Sequence, residues 1–245
     1  MHRSEFLKGM LLLGIGLQVS PLSLFANNPT SYTASQLTGK GGLQLIGSSQ
    51  QLQEEVWHAY EKMQSAAKSE NINIQVVSGY RSYDRQKTIY EAKYRSFTRE
   101  GMTPEEAISE ILKYSTLPGT SRHHWGTEMD IIDANQPQPA SVLEEEHYHG
   151  DGVYSKMKTW LDQHAESFGF YEVYTNKEDR KGFQYEPWHF SYKPISVPML
   201  EEFMCLDIEA FLTADNLSGK EILTGDFLHK YYMENIFDIN PELLP

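Results

Sequence analysis

One cysteine, Cys205, occurs in 245 residues. A lone thiol forms no intrachain disulfide and builds no thiolate-rich zinc site, so any metal in this chain has to be held by His, Asp and Glu. Basic residues are scarce as well, 21 against 34 acidic, for a formal charge of −13. That balance leaves no basic stripe to neutralise phosphates, and it argues against nucleic acid or anionic lipid as a partner. Long apolar runs are also missing. The most apolar stretch, MLLLGIGLQVSPLSL over 10–24, is broken by Gln18 and Pro21 and is too short and interrupted for a membrane span. Internal repeats and low-complexity linkers are not found either. What remains is ordinary globular composition, 40% hydrophobic and 12% aromatic, in a chain long enough to bury a sizeable core.

Residues 1–26 have the order of an export signal. His2, Arg3 and Lys8 precede the apolar run, and Ala26 offers a small residue for cleavage. No cysteine follows the run, so a lipid anchor there is not expected, nor any other stable membrane anchor. Location in the periplasm or cell envelope is the expectation.

Beyond that segment, helical and alternating patterns take turns. Ser49 can cap a helix running to about Lys68, with Leu52, Val56, Ala59, Tyr60, Met63 and Ala67 on one face. Asn71 stands where that helix stops. Ile72, Ile74 and Val76 alternate in INIQVVSGYRS, the mark of a half-buried strand. Ser82 caps a second helix ending near Gly101, and Thr103-Pro104-Glu105-Glu106 is a capping box opening a third, to about Tyr114. Residues 134–152 are polar and read as a surface loop; its His147 and His149 are expected to be solvated. An amphipathic stretch, Tyr154 to Phe168, ends at Gly169. Two short strands follow, around 170–174 and 184–192. The last fifty residues look helical, from Pro198 to about Leu212 and then from a second capping box at Ser218-Gly219-Lys220-Glu221. Strands few and short among helices predict an α+β fold, a small antiparallel sheet with helices packed around it.

Chemistry concentrates in three segments: Ser78-Gly79-Tyr80-Arg81-Ser82, Ser121 to Asp130 (SRHHWGTEMD), and Glu186-Pro187-Trp188-His189. A catalytic zinc takes three N/O ligands and leaves a position open for water, and His123, Asp130 and His189 supply two imidazoles and a carboxylate. Gly126 can provide the bend that brings residues seven apart to one ion. Pro187 makes a helix interior across Glu186–His189 improbable, and a kinked strand end would set the Glu186 carboxylate beside a metal-bound water. His124 is expected to point away from its neighbour's site and to be structural. Trp125 and Trp188 suit core or pocket wall.

Taken together and in this order, SGYRS, SxHxxGxxxD and ExWH resemble the VanY-type D-alanyl-D-alanine carboxypeptidases of the LAS zinc metallopeptidase fold, over roughly residues 40–195. The resemblance implies that His123, Asp130 and His189 bind Zn2+ and that Glu186 is the general base. It further implies that Arg81 is the cation facing the substrate, with Ser121 and Gln86 as helpers, and that the substrates are peptidoglycan stem peptides. Two positions depart from the family's usual pattern: Glu128, where a small residue is common, and Ser191, where an Arg is common. The implied organisation is an export signal over 1–26, a zinc carboxypeptidase domain over 27–195 and a C-terminal helical extension over 196–245. Two alternatives stand beside it: an L,D-carboxypeptidase acting on tetrapeptide stems, and a non-catalytic, zinc-containing cell-wall binding module. Retention of Glu186 weighs against the module, which would need no proton shuttle.

Overall fold

The computed structural model describes residues 31–245; the export-signal reading of 1–26 lies outside the described residues. A small hairpin, β1 (Leu45–Ile46) with β2 (Leu52–Gln53), precedes the main sheet. That sheet holds β3 (Ile74–Ser78), β4 (Glu128–Asp133), β5 (Phe170–Glu172) and β6 (His189–Tyr192) in the order β3-β4-β6-β5, every pair antiparallel. Helices pack around it, so the architecture is the α+β one expected.

Ordinary local chemistry sets most boundaries. The first long helix, α2 (Glu54–Lys68), follows a short α1 (Ala34–Leu37), and it buries Val56, Tyr60, Met63 and Ala67 at helical spacing. It starts four residues later than a Ser49 cap would give, because Leu52 is taken into β2. Asn71 adopts φ 60, the left-handed conformation that stops the chain after α2. Ser82 caps α3 (Tyr83–Arg99) by accepting from the Arg85 N–H, and the Thr103/Glu106 capping box opens α4 (Pro104–Ile111) as expected. The stretch 154–168 splits into α5 (Ser155–His164) and a 3-10 turn, closed by Gly169.

The C-terminal fifty residues differ from the expectation in detail. Instead of one helix to Leu212 there are two, α6 (Lys193–Phe203) and α7 (Ile208–Ala214). The second capping box does not form: Gly219 is left-handed and leads only a 3-10 turn, while Ser218 is drawn away by a hydrogen bond to Glu91, and Thr224 caps α8 (Gly225–Tyr231). Residues Tyr32–Pro245 form one compact unit. Leu200, Phe203, Leu212, Leu228 and Tyr231 share a hydrophobic cluster with Trp125, Val173 and Phe183, so residues 196–245 pack into one cluster with earlier parts of the chain. A second cluster joins α2, β3 and α5 to Met129, Ile131 and Phe190 on one face of the sheet.

Strand alternation then separates core from chemistry. Registers pair Met129 with Phe190, Asp130 with His189 and Glu128 with Ser191. Met129 and Phe190 face the core cluster, so the residues between them, Glu128, Asp130, His189 and Ser191, face the other side of the sheet. No helix among the described residues is long and apolar enough to cross a membrane.

Candidate active site

His123 sits in a 3-10 turn, Arg122–Trp125, ended by Gly126 at φ 66. The expected bend is therefore real, and a Cβ there would come within 2.7 Å of Leu45 Cδ2. Beyond it, β4 carries Asp130, directly opposite His189 on β6. Before β6, the His189 N–H bonds the Glu186 carbonyl across a turn containing Pro187, which swings the Glu186 side chain beside the His189 ring. His123, Asp130 and His189 are all buried, and their candidate ligand atoms lie within 4.8 Å of one another.

Hydrogen bonds sort the ring nitrogens. His123 Nδ1 is 2.8 Å from the Gly79 carbonyl, which can only accept, so Nδ1 carries the proton and Nε2, 3.5 Å from Asp130 Oδ2, is free to ligate. In His189, Nδ1 is the nitrogen facing Asp130 and Glu186, at 3.8 and 2.9 Å, and Nε2 points the other way, to Glu128 at 3.0 Å. His124 uses both nitrogens within the fold. Nε2 accepts from the Gly119 N–H and Nδ1 donates to the Arg81 carbonyl. Burial lowers its pKa to about 3, against some help from the Arg81 carbonyl, so it is neutral and structural as expected.

The trio passes a fit test for a divalent cation. Asp130 Oδ1 is buried and has no hydrogen-bond partner among the described residues. An orphaned carboxylate oxygen facing two imidazoles is what a cation would satisfy. Burial penalises the Asp130 charge, but His123, His189 and Arg81 more than offset it and hold its carboxyl well below the usual carboxylate range. Burial likewise opposes a charged His189, yet the Glu128 and Glu186 carboxylates push its pKa up to about 10. Metal binding at this ring would require the ligating nitrogen to give its proton up.

A cavity of about 750 Å³ opens on the trio. Arg81, Ser121, Glu186 and Trp188 line it, in keeping with the sequence reading. Gln86 does not. It is fully buried behind Arg81, accepting from Nη1 at 2.9 Å while its own amide donates to Ser115 Oγ and the Thr116 carbonyl. Its help is therefore to hold the guanidinium, together with Ser78 at 3.2 Å, rather than to touch a ligand. Trp125 is core.

Three features escaped the sequence reading. The loop around 144–149 leaves Glu144, Glu145, Glu146 and His149 exposed, as expected, but it also borders the cavity: all four line it, and His149 stacks on Tyr185, with Nε2 3.0 Å from its hydroxyl. Gly79 matters for its carbonyl and for its size, since a Cβ there would come within 2.7 Å of the Gln51 carbonyl oxygen. Glu128, wholly buried, lies on the same strand face as Asp130. An acid two residues before a ligand, on the same face of the strand EMDIID, was the signal for it.

A cluster of two imidazoles and one carboxylate that could hold a metal, opening on a cavity, has the composition of a catalytic rather than a four-ligand structural zinc site, and with this sheet it points to the zinc peptidases. Within that class the match is narrower: the family model of VanY, D-alanyl-D-alanine carboxypeptidase, covers residues 49–195, and the chain belongs to this family. The D-alanyl-D-alanine carboxypeptidase of Enterococcus faecalis is 28% identical over 148 residues, 58% of this chain and 49% of the relative. YodJ of Bacillus subtilis is 34% identical over 142 residues, 58% of this chain and 46% of the relative. The chain thus spans about half the length of these curated relatives. The solved structure of VanYB in complex with D-alanine-D-alanine has a TM-score of 0.51 at 24% identity, over 72% of this chain and 92% of that one, and shows the same fold.

Proposed function

We propose that this chain is an exported zinc carboxypeptidase that removes the terminal D-alanine from peptidoglycan stem peptides. The observation that carries the proposal is the pairing, in one cavity, of Glu186 beside the His123–Asp130–His189 trio with a guanidinium, Arg81, held in place by Gln86 and Ser78. Export rests on the sequence of residues 1–26 alone. Zinc, when bound, lowers the pKa of a coordinated water to about 7 and polarises a carbonyl.

The chain's own residues would divide the remaining work. Glu186 takes a proton from the attacking water and passes it to the leaving amine as the C–N bond breaks. Arg81 has donors left over after Gln86 and Ser78 are served, and these pair with the free carboxylate at the substrate's end, which separates an exopeptidase from an endopeptidase. Trp188 forms apolar wall, and the buried setting of the trio strengthens every charge interaction within it.

The test is mass spectrometry of defined stems incubated with zinc-loaded protein. Loss of one D-alanine from a pentapeptide ending in D-Ala-D-Ala is the expected result. Cleavage of the tetrapeptide alone would make it an L,D-carboxypeptidase, and tight binding without turnover would make it a binding module. Changing His123, Asp130 or His189 to Ala should abolish zinc binding, and unchanged metal content in all three variants would remove the ligand assignment.

A further inference from the structure

We propose that Glu128 is a positioning residue of the metal centre: its buried carboxylate holds the His189 ring so that Nδ1, and not Nε2, faces Asp130 and the cation. This rests on the reading of His123, Asp130 and His189 as ligands. Glu128 contacts the ring nitrogen remote from that cluster. Its Oε2 is 3.0 Å from His189 Nε2, whereas Nδ1 faces Asp130 Oδ1 at 3.8 Å and Glu186 Oε2 at 2.9 Å. Glu128 is therefore not a fourth ligand but the acceptor behind one. With the Glu128 carboxylate accepting from Nε2–H, the nitrogen left to exchange its Glu186 contact for a cation is Nδ1, and the carboxylate behind the ring makes the imidazole a stronger donor.

The carboxylate is itself held from three directions. Ser191 Oγ donates to Oε1 at 2.7 Å, Thr127 Oγ1 at 3.0 Å, and Arg122 Nη2 lies 3.2 Å away. Arg122 also donates to Ser191 Oγ at 2.9 Å, which closes the network. Glu128 is 0% exposed and Arg122 5%, so neither charge has water to fall back on. A buried ion pair of this kind adds little stability over apolar residues of the same volume. Its geometry, with one oxygen on the cationic side and the other on the ring of a ligand, gives it a function instead.

Glu128→Gln tests the idea sharply. Three donors converge on Oε1, so the amide oxygen has to stay there and the NH2 group then faces His189 Nε2. An NH2 can only donate, which forces the ring proton onto Nδ1, the ligating atom. Zinc affinity, measured by competition with a chromophoric chelator, should weaken roughly 10–100-fold, the usual effect of losing such a partner. The visible bands of the cobalt-loaded protein should shift at the same time. Glu128→Gln also strands the Arg122 charge, so the double variant Glu128→Gln/Arg122→Met removes both charges together. Its metal-free Tm is expected to return toward wild type while zinc affinity stays weak. Affinity within twofold of wild type in Glu128→Gln, or tight binding restored in the double variant, overturns the proposal, because the carboxylate would then serve only Arg122. A wild-type protein that binds no zinc would overturn the ligand reading itself, and this proposal with it.

Discussion

Tyr231, in the C-terminal helices, should be felt at the cavity. It is 3% exposed at the end of α8, and its hydroxyl receives the Leu117 N–H at 3.3 Å and lies 2.6 Å from Thr120 Oγ1. Thr120 Oγ1 already donates to the Leu117 carbonyl at 2.8 Å, so the Tyr231 hydroxyl is the donor to Thr120. Burial pushes the phenol up, keeping it neutral and able to donate at any working pH. These bonds pin the segment that runs from Ser115 and Thr116 to Ser121, all of which line the cavity, and on to His123. Tyr231→Phe removes one oxygen, keeps the ring, and leaves a buried N–H and a hydroxyl lone pair unmet. An unsatisfied buried donor costs about 1–3 kcal/mol. For a domain of this size that is a fall in Tm of roughly 2–12 °C. Thermal unfolding by circular dichroism reads it, with urea unfolding as a check that the slope m is unchanged. Zinc content should be unaltered, since no ligand is touched. A Tm within 1 °C of wild type would refute the reasoning, showing that the loop holds its place without the hydroxyl.

Glu186→Gln keeps volume and polarity but cannot take a proton. Zinc should stay bound while turnover falls by roughly 10²–10⁴-fold, and near-normal activity in the zinc-loaded variant would sink the general-base role. Arg81→Lys replaces a planar fork by a point charge. The loss of a charge-assisted contact, about 1.5–3 kcal/mol, corresponds to a drop of roughly ten- to more than a hundredfold in kcat/KM. Amidating the substrate's C-terminus should cost the wild type as much and the variant little more; equal cleavage of amide and acid by the wild type would mean that Arg81 has another task.

How much of this was legible beforehand varied by element. Caps at Ser82 and Thr103 were readable because each is satisfied within three residues of itself. The capping box at Ser218–Glu221 was misread for the converse reason: Glu91, far away in the chain, competes for the Ser218 hydroxyl and wins. Gln86 looked like a substrate contact because motif position says nothing about depth, and burial behind Arg81 decided its role. The acidic stretch 144–146 is solvated as expected, but its place at the cavity was not legible, because its polarity is that of any loop until the cavity forms beside it.

The sequence alone determined which atoms are available. With one cysteine, the metal had to fall to imidazole and carboxylate, and alternation within EMDIID already set Glu128 and Asp130 on one face. The bend at Gly126 and the break at Pro187 were local, and local geometry is written residue by residue. Tertiary structure decided what those atoms do. Which nitrogen of His123 is free depends on a carbonyl 44 residues away, and which nitrogen of His189 faces Asp130 depends on a carboxylate 61 residues away. A hydrogen bond chooses its partner by distance and direction in space: the β4–β6 register brings Glu128 to His189, and the turn at Arg122–Trp125, lying against the end of β3, brings His123 to the Gly79 carbonyl.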